Sequence, residues 1–327
     1  MKQAIKFIAV AAMAATLAWA DYDPQSAREM LAGGSMNQAI QYLQQRTQQA
    51  PNDAEAFHLL SRAYYELENW DRSISTAQKA VALNPNSSEY HLWLGRAYGN
   101  KAEHSSWFTA LTLARKTRSE FEKAVQLDNA NSDARSDLAE YYMEAPGFLG
   151  GGSDKALAQA QQLEAYNAAA AHWVTARLAE KDKRLPDAEA EYKKAIEASS
   201  DPGGEWLNLA SFYRRQKRYA DMQQAVEHAV SYDKKNTNVL FGAAELLYHA
   251  GKNFPGASQF VRAYINSYKK PKLEEDTAPT FQAHYLLGQI LEKQGDKEGA
   301  ANEYRTALEL ASDYRQAKEG LDRVNRR

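Results

Sequence analysis

The 327-residue sequence contains no cysteine. No disulfide can staple the chain and no thiolate can act as nucleophile or metal ligand, so its stability has to come from a packed core. Charge of one sign is not in excess either: 40 Lys and Arg stand against 42 Asp and Glu, a formal net charge of −2. No run of basic residues is longer than a few, and the cationic surface that a phosphate backbone demands is missing, which excludes nucleic acid as an expected partner. Proline and glycine are few, nine and seventeen, and fall mostly between periodic segments, as they should if nearly all regular structure is helical. Long hydrophobic runs are lacking too. The apolar run from Phe7 to Leu17 is too short to cross a bilayer, which takes about 20 residues.

That run has a different reading. Lys2 and Lys6 precede it and Ala18-Trp19-Ala20 follows it, the small-x-small pattern of a signal-peptidase site. Residues 1–20 are therefore expected to be an export signal, removed to leave Asp21 first and no direct membrane insertion afterwards. Forty basic residues less Lys2 and Lys6 leaves 38 against 42 acids. Without cysteine the product cannot be acylated as a lipoprotein. A periplasmic or secreted protein is expected.

What the sequence does contain is internal repetition. The stretch from Phe281 to Leu310 reads as two short helices, one carrying Leu287, Gly288 and Leu291, the other Ala300, Tyr304 and Ala307, with Gly295 breaking the run between them. Copies lie upstream in register. The large residue of the first helix recurs as Leu60, Leu94, Leu138, Thr175, Leu209, Ala243 and Leu287. The next residue is always small, Ser61, Gly95, Ala139, Ala176, Ala210, Ala244 and Gly288, as close approach of two helix backbones demands. Three residues further on comes a mostly bulky layer: Tyr64, Tyr98, Tyr142, Ala179, Tyr213, Leu247 and Leu291. The second helices give Ser73, Thr117, Ala156, Ala188, Met222, Ala257 and Ala300, then seven residues later Ala80, Ala124, Leu163, Ala195, Ala229, Tyr264 and Ala307.

This pattern resembles the tetratricopeptide repeat, a helix-turn-helix unit of about 34 residues that cannot bury its own apolar face and so stacks on its neighbours. The resemblance implies an all-α fold, an α-solenoid built as a right-handed superhelix of antiparallel helix pairs. It has about seven full repeats (54–312), a degenerate N-terminal repeat or cap with a more polar outer face (21–53) and a solvating C-terminal helix (313–327). Three insertions interrupt it, near 99–116, 144–153 and 268–279. The first has helical composition and is expected to lengthen a second helix at its N-terminal end, with Trp107 and Phe108 on one stripe. The second, Glu144 to Ser153, is an enlarged turn. Turns between first and second helices share one edge of a solenoid, so the two insertions should touch in a side lobe in which Phe148 and Leu149 cover Trp107 or Phe108. The third looks like a solvated loop.

Signals for chemistry are weak. The seven histidines form no HExxH and read as scattered helix-surface residues, so no metal site is expected. Serines near glycine fit no GxSxG frame. Gly150-Gly151-Gly152-Ser153-Asp154-Lys155 lacks the GxxxxGK[ST] spacing, and Asp154 would repel a phosphate. No catalytic residue and no cofactor is expected, and the chain is read as a non-enzymatic scaffold.

In the resembling family the first helices line the concave face. Candidate partner-binding residues at those positions are Arg62, Tyr65, Trp93, Arg96, Trp173, Arg177, Asn208 and Arg214. Arg62, Arg96 and Arg177 fall at the equivalent position of three units, where a guanidinium can grip a carboxylate or can pair with acids along the array. Arg and aromatic residues are frequent interface anchors. The Lys/Asn/Arg clamp by which some relatives hold a peptide carboxylate is not reproduced. The expected partner is a protein or peptide, held in the groove. An alternative is docking through the lobe of Trp107, Phe108, Phe148 and Leu149; a small-molecule binder or enzyme using that lobe comes last.

Overall fold

The computed structural model describes residues 23–232, 238–267 and 278–326. The expected signal segment and most of the 268–279 loop lie outside these residues. The described chain is an α-solenoid of seventeen α-helices, with no strand among the described residues. A short N-terminal pair, α1 (Pro24–Ala32) and α2 (Met36–Gln49), precedes seven full pairs. These are α3 (Ala54–Glu66) with α4 (Trp70–Leu83), α5 (Ser88–Glu103) with α6 (Trp107–Leu127), α7 (Ser132–Glu144) with α8 (Ser153–Leu163), and α9 (Ala168–Lys181) with α10 (Leu185–Ala198). Then come α11 (Gly203–Arg215) with α12 (Tyr219–Tyr232), α13 (Asn238–Ala250) with α14 (Phe254–Ser267), α15 (Thr280–Gln294) with α16 (Lys297–Leu310), and a final helix α17 (Arg315–Asn325).

Local chemistry starts and stops these helices. Asp53, Asn69, Ser87, Asn131, Asn167 and Asp296 each accept a backbone N–H of the first turn with the side chain, satisfying donors that the helix cannot. The turn inside a pair recurs with the same geometry. Glu68, Lys183, Lys217, Gly251 and Gly295, each seven residues after the small position, have φ between 55° and 86°. Only the last two are glycine, so three units adopt a left-handed turn against the preference of their own side chain. Of the two units that carry insertions at this turn, the α5–α6 unit does without it and the α7–α8 unit moves it to Gly150, at φ 93°, inside the insertion.

Packing explains the small position. A Cβ on Gly95 would lie 2.5 Å from the Phe121 ring, and one on Gly288 would lie 2.6 Å from Tyr304. Tyr304 is fully buried and closed in from the other side by Gly320, where a Cβ would come within 2.8 Å of it. Successive units are also tied by polar contacts. Tyr64 Oη accepts from Gln44 Nε2, Tyr98 Oη accepts from Gln78 Nε2, and Tyr142 Oη donates to Glu122 Oε1, in each case to a partner twenty residues earlier, in the preceding unit's second helix.

The insertions behave partly as expected. Helix α6 is extended at its N-terminal end to 21 residues, after a break at residues 104–106. The second insertion forms a single 3-10 turn, Gly147–Leu149, that meets α6 where Arg118 Nη1 donates to the Leu149 carbonyl at 3.1 Å. The aromatic cover expected between them is not formed. Trp107, Phe108 and Phe148 are 65%, 82% and 65% exposed, while Leu149 turns inward and is buried. The Leu149 carbonyl, held by both Arg118 and Tyr141 Oη, fixes the turn with Leu149 in and Phe148 out.

The ends of the array depart most from expectation. Residues 21–53 were expected to cap the solenoid with a polar outer face. Instead Ala27, Leu31 and Met36 of the first pair share one buried cluster with Leu60 and Tyr64 of α3 and with Phe281, Ala307, Tyr314 and Ala317 from the other end of the chain. Hydrogen bonds secure the junction. Thr280 Oγ1 donates to the Gly33 carbonyl at 2.6 Å, Asn37 Nδ2 donates to the Glu309 carbonyl at 3.1 Å, and the Ser312 N–H donates to Asn37 Oδ1 at 3.0 Å. Gln282 Nε2 donates to the carboxylate of Glu66 at 2.9 Å. Gly34, at φ 71°, makes the approach possible, because a Cβ there would lie 2.7 Å from the backbone nitrogen of Thr280. The first unit is thus stacked on the last. A terminal helix pair with apolar residues on both sides finds its second neighbour at the far end of the chain.

Candidate partner-binding cleft

The inner-face residues singled out in the sequence fall into two assembled groups and two separate positions. Arg62 is buried with its guanidinium 4.4 Å from the centre of the Trp93 ring, and the Arg96 guanidinium lies 5.0 Å from the same ring. Trp93 is itself buried and meets Tyr65 edge-on at 5.3 Å. Arg177 lies 5.7 Å from Trp173 in the next group. Asn208 and Arg214 sit half-buried on α11, and among the described residues no hydrogen bond or ion pair joins them to either group.

The arginines are engaged along the array. Arg96 Nε donates to Asp137 at 2.6 Å, and Arg177 reaches Glu144 at 3.0 Å and Glu140 at 3.9 Å. The ladder continues with Arg215, whose Nε and Nη2 both reach Glu180, at 2.7 and 2.8 Å. Such two-pronged contacts fix the orientation of neighbouring units, and their energy is small where they face solvent.

Between α5–α6 and α7 with its 3-10 turn lies a cleft of about 500 Å³. Tyr65, Arg96 and Asp137 bring the inner face to it, whereas Ala114, Pro146 and Leu149 bring the two insertions. The groove and the lobe, separate surfaces in the sequence reading, therefore meet in one depression with a largely apolar floor that includes Phe121. Asn100 Nδ2 donates to the Tyr65 hydroxyl at 2.7 Å and locks that wall. Burial pushes the Tyr65 phenol upward, so it stays protonated at any ordinary pH.

Carboxylates dominate the rim. Glu103, Asp137, Glu140 and Glu144 all line the cleft. Glu140 is raised above the usual carboxylate range, first by burial and then by the neighbouring charges of Asp137, Glu144 and Glu103, with Arg177 opposing. Its side chain is nevertheless 49% exposed, the condition of a group crowded by protein at the bottom of a concavity open to water.

Sequence reasoning missed Glu103 and Asp137. Asp137 directly precedes the large residue Leu138, the position that Trp93 and Asn208 hold before Leu94 and Leu209, so the inner-face register could have found it. The histidines are not scattered either. His91, His172 and His284 occupy the same position of their units, and each Nδ1 lies 2.6–2.7 Å from a glutamate (Glu120, Glu191, Glu303) that immediately precedes the buried ring Phe121, Tyr192 or Tyr304. His58 is buried beside Glu89, and burial holds it below its ordinary value. These are single-carboxylate pairs that brace helices. Among the described residues no group of three or more potential ligands could hold a metal ion, and no described helix is long and apolar enough to cross a membrane.

Tetratricopeptide-repeat family models match residues 30–97, 150–203, 206–236 and 281–314. Among solved structures, a thermophilic TPR protein of Thermus thermophilus is 21% identical, with 58% of this chain and 96% of that one aligned at a TM-score of 0.48. A tetratricopeptide repeat protein of Parabacteroides merdae ATCC 43184 is 17% identical over 84% of this chain and 99% of its own, at 0.41. The human IFIT1 dimer with PPP-AAAA is 16% identical over 89% of this chain and 73% of its own, at 0.43. No curated protein sequence matches this one. Repeat models fall on both ends and the middle of an array whose helix pairs, small-residue contacts and recurrent turns are those of one unit copied in register, and so the chain belongs to the tetratricopeptide repeat family.

Proposed function

We propose that the protein is a non-enzymatic interaction scaffold that holds a segment of a partner protein in the cleft between α5–α6 and α7. Membership of the repeat family supports protein–protein interaction in general. The observation that carries the finer reading is the cleft itself: both insertions of the array converge on one apolar depression continuous with the inner face. Filling the cleft with Ala114→Trp should abolish capture of the partner from cell extract while the helical circular dichroism stays unchanged. Capture that survives the plug ends this reading. The exposed rings Trp107, Phe108 and Phe148 favour a second surface on the same edge. Loss of capture on changing all three to Ala, with the plugged variant still binding, would select that edge instead.

Export belongs to the same proposal, on the strength of the charged, apolar and small-residue order of residues 2–20. The intact mass of the protein recovered from the cell envelope should correspond to a chain beginning at Asp21; a mass that retains residues 1–20 counts against it.

A further inference from the structure

The charges lining the cleft are not balanced: four acids, Glu103, Asp137, Glu140 and Glu144, face one base, Arg96. Arg96, the one cation among the described residues that line the cleft, and three cations beside it already hold partners. Arg96 is bonded to Asp137, Arg177 is divided between Glu144 at 3.0 Å and Glu140 at 3.9 Å, Arg118 donates to the Leu149 carbonyl, and Lys181 donates to the Met143 carbonyl. The carboxylates are left with a surplus. Among the described residues Glu103 makes no ion pair or hydrogen bond, and Glu140 has only the distant edge of an arginine that lies closer to another acid. The cleft is also lined by the rings of Tyr65, Phe121 and Tyr141, and aromatic faces attract cations as well as apolar groups.

A pocket with an apolar, aromatic floor and an acidic rim has a definite complement. A partner carboxylate entering it would meet Glu103, Glu140 and Glu144, and the lining arginine, Arg96, is already held by Asp137, so binding to it would require breaking an existing ion pair. An arginine or lysine side chain would lay its alkyl stem on the floor and its charged head between Glu103 and Glu140, relieving the repulsion among the acids already there. The volume, about 500 Å³, accommodates such a side chain together with an apolar neighbour.

We infer that the cleft selects a basic, apolar segment of its partner, with an Arg or Lys seated between Glu103 and Glu140. This rests on the cleft being the binding surface, and it names the chemical class of what enters. The arginines of the inner face then serve to hold acids in place around the cleft.

The test uses three fluorescein-labelled pools of ten-residue peptides that share a randomised apolar background and carry a fixed central Arg, Gln or Glu. Binding to the full chain is read by fluorescence anisotropy at about 0.1 M salt. The Arg pool should bind roughly tenfold more tightly than the Glu pool, with Gln between them, and the difference should shrink as salt rises. Glu103→Gln with Glu140→Gln should erase the preference, and Ala114→Trp should erase binding. If all three pools bind alike and the plug still blocks them, the cleft is the site and the charge selection is wrong. If no pool binds, or binding ignores the plug, the cleft reading falls and the selection with it.

Discussion

Phe281→Ala is expected to lower the stability of the whole chain by about 4 kcal/mol, the usual cost of emptying a fully buried phenylalanine site. The larger consequence is where the damage appears. Phe281 belongs to the cluster that joins the last unit to Ala27, Leu31 and Met36 of the first, and it stacks edge-on against Tyr314 at 4.9 Å. In an open solenoid each unit feels only its neighbours, and terminal units fray first. Here the substitution should strip hydrogen-exchange protection from the amides of residues 24–49, more than 230 positions away in sequence, and convert a single denaturant transition into two. Tyr192→Ala, in the middle of the array, supplies the control: it should cost a similar amount without singling out α1 and α2. Unchanged protection of residues 24–49 in Phe281→Ala would mean that the junction contributes contact without coupling.

Gly151→Ala is expected to be the most damaging single methyl group in the molecule. The added Cβ would lie 1.7 Å from the carbonyl oxygen of Ala145 and 2.6 Å from its carbon. The loop has no slack to absorb the shift, because the Gly151 N–H donates to the Pro146 carbonyl at 3.2 Å and the Gly152 N–H donates to the Tyr142 carbonyl at 2.8 Å. Both bonds should be lost, at about 2–3 kcal/mol, and Leu149 should leave the wall of the cleft, reducing partner affinity more than tenfold. Gly147→Ala, four residues earlier, meets nothing within 4 Å and should stay within about 0.5 kcal/mol of the parent. Equal urea midpoints for the two variants would refute the account of the loop.

The repeat was legible in the sequence because its strongest signals are steric. A residue that faces a buried ring must be small, and Gly95, Ala176 and Gly288 announce that requirement without any knowledge of Phe121, Tyr192 or Tyr304. The turn was less legible. Gly295 and Gly251 mark it, but Glu68, Lys183 and Lys217 adopt the same left-handed geometry with no composition signal, because packing on either side fixes the backbone there. The binding surface was half legible. Residue type pointed to Arg96 and Tyr65, which do line the cleft, but the charge state of a surface depends on which pairs form. Whether Arg96 finds Asp137 is decided by the rotation of α5 against α7, a tertiary quantity that spacing does not encode. The lobe failed for a related reason: Phe148 and Leu149 are adjacent, and only the hydrogen bonds to the Leu149 carbonyl decide which one turns inward. Stacking of the first unit on the last was not visible at all, since no local pattern records a neighbour that distant.

That stacking sets the order of events during synthesis. The apolar faces of Ala27, Leu31 and Met36 emerge long before their partners Phe281, Ala307 and Tyr314. Until residues 281–317 have been made the first helix pair has no second surface to cover it, so the nascent chain carries an uncovered apolar face over that stretch. Docking of the first pair therefore has to wait for the far unit, and a chain released before residue 281 cannot perform it.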